Sequence, residues 1–124
     1  MVLIDETSAS ASELVTGAWQ DYGVVTVIGE VSFGKGTVQT WQELSNGGGV
    51  RLTIARWLRP NGEWIHHVGI TPDIVVEWTP ESFDEVGNPE TDPQLSTALD
   101  FLEHPENFDL SDRAFAEATA EPVP

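Results

Sequence analysis

The first thirty residues constrain this chain most. A short apolar run, Val2–Ile4, leads through the small and polar residues 5–12 into a stretch of helical period, and a β-branched run, Val24–Ile28, follows. The spacing predicts a helix from about Ser10 to Tyr22, with Leu14, Val15, Ala18, Trp19 and Tyr22 on one face and Gly23 as its stop. Strand, helix and strand in that order mean two parallel strands joined by a crossover. An α/β core is therefore expected.

Beyond a glycine-punctuated loop, Gly29–Gly36, the chain turns to strand chemistry. Thr37–Leu44 and Val50–Leu58 flank Ser45-Asn46-Gly47-Gly48-Gly49 as an antiparallel hairpin, and Val50, Leu52 and Ile54 alternate as if one face were buried. Arg59-Pro60-Asn61-Gly62 is a turn, a short strand is expected around Glu63–His66, and Ile74–Trp78 reads as a last strand. Asp92-Pro93 has the form of an N-cap with proline at the first helical position, opening a helix over about 93–103 with Leu95, Ala98, Leu99 and Leu102 on one stripe. Residues 104–124 either add a short helix near Ser111–Ala118 or stay disordered.

Charge narrows the function classes. The chain holds 21 acidic residues against 5 basic ones, a formal charge of -16, which disfavours non-specific binding to nucleic acid or to an anionic membrane surface. Residues 1–79 have 9 acids and 4 bases, whereas residues 80–124 have 12 acids and the single base Arg113. We read 1–79 as the chemistry-bearing core and 80–124 as an acidic extension. The absence of cysteine excludes disulfides, thiolate metal sites and a cysteine nucleophile. No apolar run approaches the ~18 residues of a membrane span, and no export signal is visible.

Two segments have the residue types for chemistry. In Thr7-Ser8-Ala9-Ser10-Ala11-Ser12-Glu13, serines lie where a strand passes into a helix, so that unpaired N–H groups at the helix start favour a developing negative charge beside a serine hydroxyl. Ser10 and Glu13 also have capping-box spacing, which by itself accounts for the pattern. The second segment, Gly29 to Gly36, nearly matches a phosphate-binding loop, yet Gly36 stands where magnesium would need Ser or Thr, and the β-prone residues 37–41 follow where a helix is required. Nucleotide binding is set aside on those grounds. Lys35 is the only lysine, held between Gly34 and Gly36. Unlike arginine, a desolvated lysine can lose its proton and act as a base. Ser10 as nucleophile and Lys35 as general base form one coherent pair, which requires a neutral amine far from the ordinary lysine pKa of about 10.4. Burial against Phe33, Val31 and the helix start is the expected cause.

SASASE, a helix ending in QDYG, IGEVSFGKGTVQT and the later Pro60-Asn61-Gly62 and Gly69-Ile70-Thr71-Pro72-Asp73 turns together resemble the carboxyl-terminal processing (tail-specific) proteases, over nearly all of residues 1–103. The resemblance implies a crotonase-like α/β fold and a serine endopeptidase without metal or organic cofactor, cleaving polypeptides near the C-terminus. It implies Ser10 as nucleophile, Lys35 as base, Gln39 as the residue that orients the lysine, and the Ala11 N–H as one oxyanion donor. Positions four apart on a strand share a side, which would let Lys35 and Gln39 touch. The family's second oxyanion donor, its PDZ-type domain and its export signal would all precede Met1, so the chain reads as the C-terminal part of a longer protease. Losing one oxyanion donor costs about 100- to 1,000-fold in turnover. The family's usual place is the periplasm, cell envelope or exterior. A non-catalytic peptide- or ligand-binding module on the same fold is the alternative.

The remaining candidates have simpler readings. His66, His67 and Glu63 suggest a metal, but neighbours on a strand point to opposite faces, so no metal site is assigned. Asp73 reads as a loop cap. Asp5 and Glu6 are not assigned to catalysis, since a nearby carboxylate would keep Lys35 charged. The five tryptophans are expected in the core or at an interface. An uncovered sheet edge would drive a homodimer or strand-exchanged oligomer.

Overall fold

The computed structural model describes residues 1–111. The helix expected near Ser111–Ala118 lies, except for Ser111, outside the described residues. Strand β1 (Val2–Ile4) leads to helix α1 (Ala11–Asp21), which returns to strand β2 (Val27–Gly29). β1 and β2 pair in parallel with Val2 opposite Val27 and Ile4 opposite Gly29. The last strand, β5 (Ile74–Val75), pairs in parallel with β2, so the sheet order is β1-β2-β5. β3 (Thr37–Glu43) and β4 (Gly49–Arg56) form a separate antiparallel hairpin. Helix α2 (Pro93–Glu103) packs on β1 and β2, capped by Asp92, whose carboxylate accepts the Leu95 N–H at 2.8 Å. Among the described residues no helix is long and apolar enough to cross a membrane.

The core is small and aliphatic. Ile4, Val27, Ile65 and Ile70 form the buried cluster, with Val2, Val25 and Trp57 packed against it. Each fully buried side chain of this kind contributes roughly 2 kcal/mol. Of the five tryptophans Trp57 packs on it, whereas Trp19, Trp41 and Trp64 are exposed.

Helix α1 is inverted relative to its apolar pattern. Glu13, Thr16, Gly17 and Asp21 are its buried residues, whereas Leu14, Val15, Trp19 and Tyr22 are exposed. The reason is the neighbour it meets. A Cβ on Gly17 would stand 3.0 Å from Ile70 Cδ1, so the helix comes too close to that segment for a large apolar stripe. Glu13 and Asp21 are buried because each has several hydrogen-bonding partners there.

Four other expectations are corrected. Val24 is exposed and β2 begins only at Val27, because Val24 still donates to the Trp19 carbonyl in the helix stop. Residues 63–66 form no strand: the Glu63 carbonyl accepts the Arg59 N–H and closes the turn. β4 is exposed along nearly its whole length, with Ile54 at 62%, because no described element covers the hairpin. On α2 only Ala98 is buried, while Leu99 and Leu102 face outward.

Candidate active site

In a parallel sheet the loops that leave the C-terminal ends of neighbouring strands emerge on one edge. Residues 5–10 follow β1 and residues 30–36 follow β2, so this topology brings the two chemistry-bearing segments together. They are tied directly: Phe33 N–H donates to the Ser8 carbonyl at 3.0 Å, and Glu30 N–H to the Ile4 carbonyl at 3.0 Å. Asp5 shapes the first loop. Its Oδ1 accepts from the Ser8 hydroxyl at 2.8 Å and from the Thr7 hydroxyl at 2.9 Å, and both backbone N–H groups also reach it. Burial pushes the Asp5 carboxyl up, but those hydrogen bonds outweigh it and hold the pKa below the usual carboxylate value.

Ser10 stands at the turn into α1 with φ 58° and ψ -112°, a backbone conformation that L-residues rarely adopt. A non-glycine residue held there stores strain of order 1–3 kcal/mol, which persists only where surrounding structure fixes it. Small neighbours, Ala9 and Ala11, make so sharp a strand-to-helix bend sterically possible. The bend presents the serine at the head of the helix, beside the Ala11 N–H. Among the described residues no acceptor takes that N–H, as expected for the first residue of a helix.

Ser10, Ala11, Lys35 and Gln39 line a single open cavity of about 460 Å³, together with Leu14, Val38, Trp41, Arg51 and Trp57. The four residues that the sequence singled out are thus brought to one place. The Ser10 hydroxyl and the Lys35 amine are not hydrogen bonded to each other, and unliganded sites commonly show such looser geometry. Lys35 is half-buried, and of the surroundings expected the helix start shares its cavity whereas Phe33 and Val31 do not. Phe33 is 64% exposed and lines a separate hollow with Glu6, Thr7 and Ala9. Trp57 lines the cavity beside Lys35, its indole N–H donating to the Lys35 carbonyl at 3.2 Å. The parity argument for Gln39 does not apply either. Lys35 precedes β3, and a bulge between Val38 and Gln39 breaks the alternation. The Gln39 amide points across the hairpin toward the Thr53 hydroxyl, 3.5 Å away.

Why Lys35 sits between glycines is now clear. A Cβ on Gly34 would meet the Gly69 N at 2.9 Å, and one on Gly36 the Trp64 Nε1 at 2.8 Å. Gly34 also has φ +82°. The glycines serve close packing against residues 64–69, and a strand follows the loop, unlike a phosphate loop.

Glu13 is the residue that sequence reasoning undervalued. It is 1% exposed and its carboxylate accepts four hydrogen bonds. Oε2 takes the Ser10 N–H at 2.6 Å and the Lys35 N–H at 2.8 Å; Oε1 takes the Ser32 hydroxyl at 2.6 Å and the Gly34 N–H at 2.5 Å. One buried carboxylate therefore joins the backbones of Ser10 and Lys35. Capping spacing signalled only the first of these four partners.

His66 and His67 also depart from expectation. Without a strand there, the two imidazoles lie side by side with centroids 4.0 Å apart. Among the described residues no group of three or more His, Cys, Asp or Glu is placed to hold a metal. Asp73 bridges elements: Oδ2 accepts the Val27 N–H at 2.7 Å and Oδ1 the Gln20 amide at 3.2 Å. A second cavity, about 360 Å³, surrounds the buried Arg59–Asp21 ion pair and includes neither Ser10 nor Lys35.

The family model described as Peptidase family S41 matches residues 1–76. A carboxyl-terminal-processing protease of Synechocystis sp. is 45% identical over 102 residues, covering 82% of this chain and 24% of that protein. A carboxy-terminal-processing protease of Bartonella bacilliformis is 56% identical over 77 residues, 62% of this chain and 18% of that protein. Among solved structures, the photosystem II D1 C-terminal processing protease superposes with TM-score 0.56 at 41% identity, over 60% of this chain and 19% of that one. Mature CPAF gives TM-score 0.56 at 22% identity, a likeness of fold alone, over 62% of this chain and 15% of that one. The chain thus spans about a quarter or less of the length of these relatives.

Proposed function

The chain belongs to peptidase family S41, and on that premise we propose that residues 1–79 contribute the Ser10–Lys35 dyad of a serine endopeptidase that cleaves polypeptides near their C-termini. The observation that supports this most is the strained turn at Ser10, which faces a cavity also lined by Lys35 and Gln39. Ser10 Oγ attacks the scissile carbonyl while the Lys35 amine takes its proton. The tetrahedral oxyanion forms beside the Ala11 N–H. Its collapse breaks the C–N bond, Lys35 returns the proton to the leaving amine, and an acyl-Ser10 ester remains. Water, deprotonated by the same amine, adds to the ester carbonyl; the C–O bond to Ser10 breaks, Lys35 returns the proton to Ser10 Oγ, and the new C-terminus leaves. Gln39, on the same cavity, orients Lys35 once its amide turns from Thr53 to the lysine amine.

In the full-length protein, Ser10→Ala and Lys35→Ala each lower peptide cleavage by roughly a thousandfold or more. Undiminished turnover in either variant removes the dyad. A protein that binds peptides equally well with and without the Ser10 hydroxyl, and cleaves none, is instead a binding module.

A further inference from the structure

The cavity at Ser10 is electrostatically unlike the rest of the chain. There are 21 acidic residues in the sequence, yet among the described residues none lines this cavity. Two of the five basic residues, Lys35 and Arg51, do. The other basic residues have different places. Arg59 is paired with Asp21, Arg56 lies over the Trp64 ring at 5.6 Å, and Arg113 is outside the described residues. Arg51 is exposed and has no ion pair or hydrogen bond from its side chain among the described residues. Its position is fixed by the hairpin. Trp41 and Arg51 are directly paired across the ladder, so the two side chains project on the same side. That side lines the cavity.

We propose that Arg51 is a specificity-determining residue that takes a carboxylate of the bound peptide close to the scissile bond. The inference rests on the dyad reading above. A guanidinium offers a planar fork that matches a carboxylate, and an unpaired one on a catalytic cavity is free to receive it. Trp41 supplies a flat apolar wall beside that contact. The overall charge of -16 repels acidic peptides at long range, so the selectivity arises on docking and not from steering. Two sources supply the same chemistry: an internal Glu or Asp side chain, or a free C-terminus a residue or two beyond the cleaved bond.

The test uses the full-length protein and matched peptides with Glu or Gln at each position flanking the cleaved bond, plus a pair ending in carboxylate or carboxamide. Wild type is expected to favour one carboxylate peptide by about tenfold in kcat/KM. The preference disappears in Arg51→Gln, is retained in part in Arg51→Lys, and inverts in Arg51→Glu. Which pair shows it identifies the source. Binding to the Ser10→Ala protein, read by tryptophan fluorescence, repeats the comparison without chemistry. An equal Glu:Gln ratio in wild type and Arg51→Gln, in both assays, overturns the role of Arg51 and leaves the dyad standing. An Arg51-dependent binding preference in a protein whose cleavage does not depend on Ser10 supports Arg51 and overturns the dyad.

Discussion

Replacing Glu13 by glutamine changes almost no volume and removes one charge, yet the structure makes it a severe substitution. The carboxylate is acceptor only, and its four partners all donate. A glutamine keeps one oxygen, which can serve two donors, and turns an NH₂ toward the other two. If the NH₂ faces Ser32, that hydroxyl can rotate to accept, although it already accepts the Ile70 N–H at 2.7 Å. The Gly34 N–H then still meets a donor. With the opposite rotamer both the Ser10 and Lys35 N–H groups do. Each buried donor left without a partner costs about 1–3 kcal/mol, and the two surviving bonds lose their charge assistance. We expect Glu13→Gln to destabilise by about 2–4 kcal/mol and Glu13→Ala by more, a large share of the 5–15 kcal/mol typical of a domain. Urea midpoints measure the loss. Amide exchange localises it, with protection falling at Ser10, Gly34 and Lys35 first. Cleavage should fall mainly in kcat, since a displacement of about 1 Å at the reacting groups costs on the order of 100-fold. A Glu13→Gln protein with unchanged urea midpoint and unchanged exchange at those three amides would falsify this account of the carboxylate.

The Arg59–Asp21 pair behaves as a buried ion pair with side chains 11% and 2% exposed, so Arg59→Ala should cost about 3–5 kcal/mol by leaving Asp21 buried and unpaired, measurable as a lowered urea midpoint. Arg59→Ala combined with Asp21→Ala should cost less than the sum of the single changes. Asp5 has a folded pKa below its unfolded value, so its contribution to stability is complete above pH of about 4 and is lost as pH falls through the folded pKa; urea midpoints from pH 6 to pH 2.5 should converge for wild type and Asp5→Asn at the acid end. The uncovered hairpin, with Val38, Leu52 and Ile54 exposed, should drive the 124-residue chain to self-associate; light scattering at rising concentration checks this, and Ile54→Lys should restore monomer.

What the sequence revealed followed from strong local signals. The β1–α1–β2 unit and the α2 N-terminus at Asp92-Pro93 were legible because caps, glycine stops and period act within a few residues. Strand lengths were not, because Val24 and Trp78 look like strand residues while pairing partners exist only for Val27–Gly29 and Ile74–Val75. The buried face of α1 was misread because hydrophobic period presumes that apolar residues go inside. Here Gly17 sets a close approach and two carboxylates find enough donors to be buried. Ser10 and Lys35 were singled out by residue type, and the fold puts both on one cavity. The Trp57 bond to the Lys35 carbonyl and the reach of Glu13 to Gly34 depend on partners 21 or more residues away, which no local pattern announces.

One use of acid unites these features. With 21 carboxylates and 5 cations, most acids cannot find an ion-pair partner, and the described residues show what the interior ones do instead. Asp21 has its ion pair with Arg59, but Glu13 accepts from Ser10, Gly34 and Lys35 backbones, Asp73 from Val27, and Asp92 from Leu95 and Gly87. Carboxylates here act as caps for loop and helix N–H groups, each charge-assisted and worth more than a neutral bond. Such contacts need no cation, so few basic residues are tied up in them. This arrangement is what leaves Lys35 and Arg51 on the cavity at Ser10, where the nearest carboxylate, Glu13, is turned inward and saturated by four donors. The acidity of the chain and the basic character of its candidate active site are therefore compatible, because the buried acids are spent on backbone.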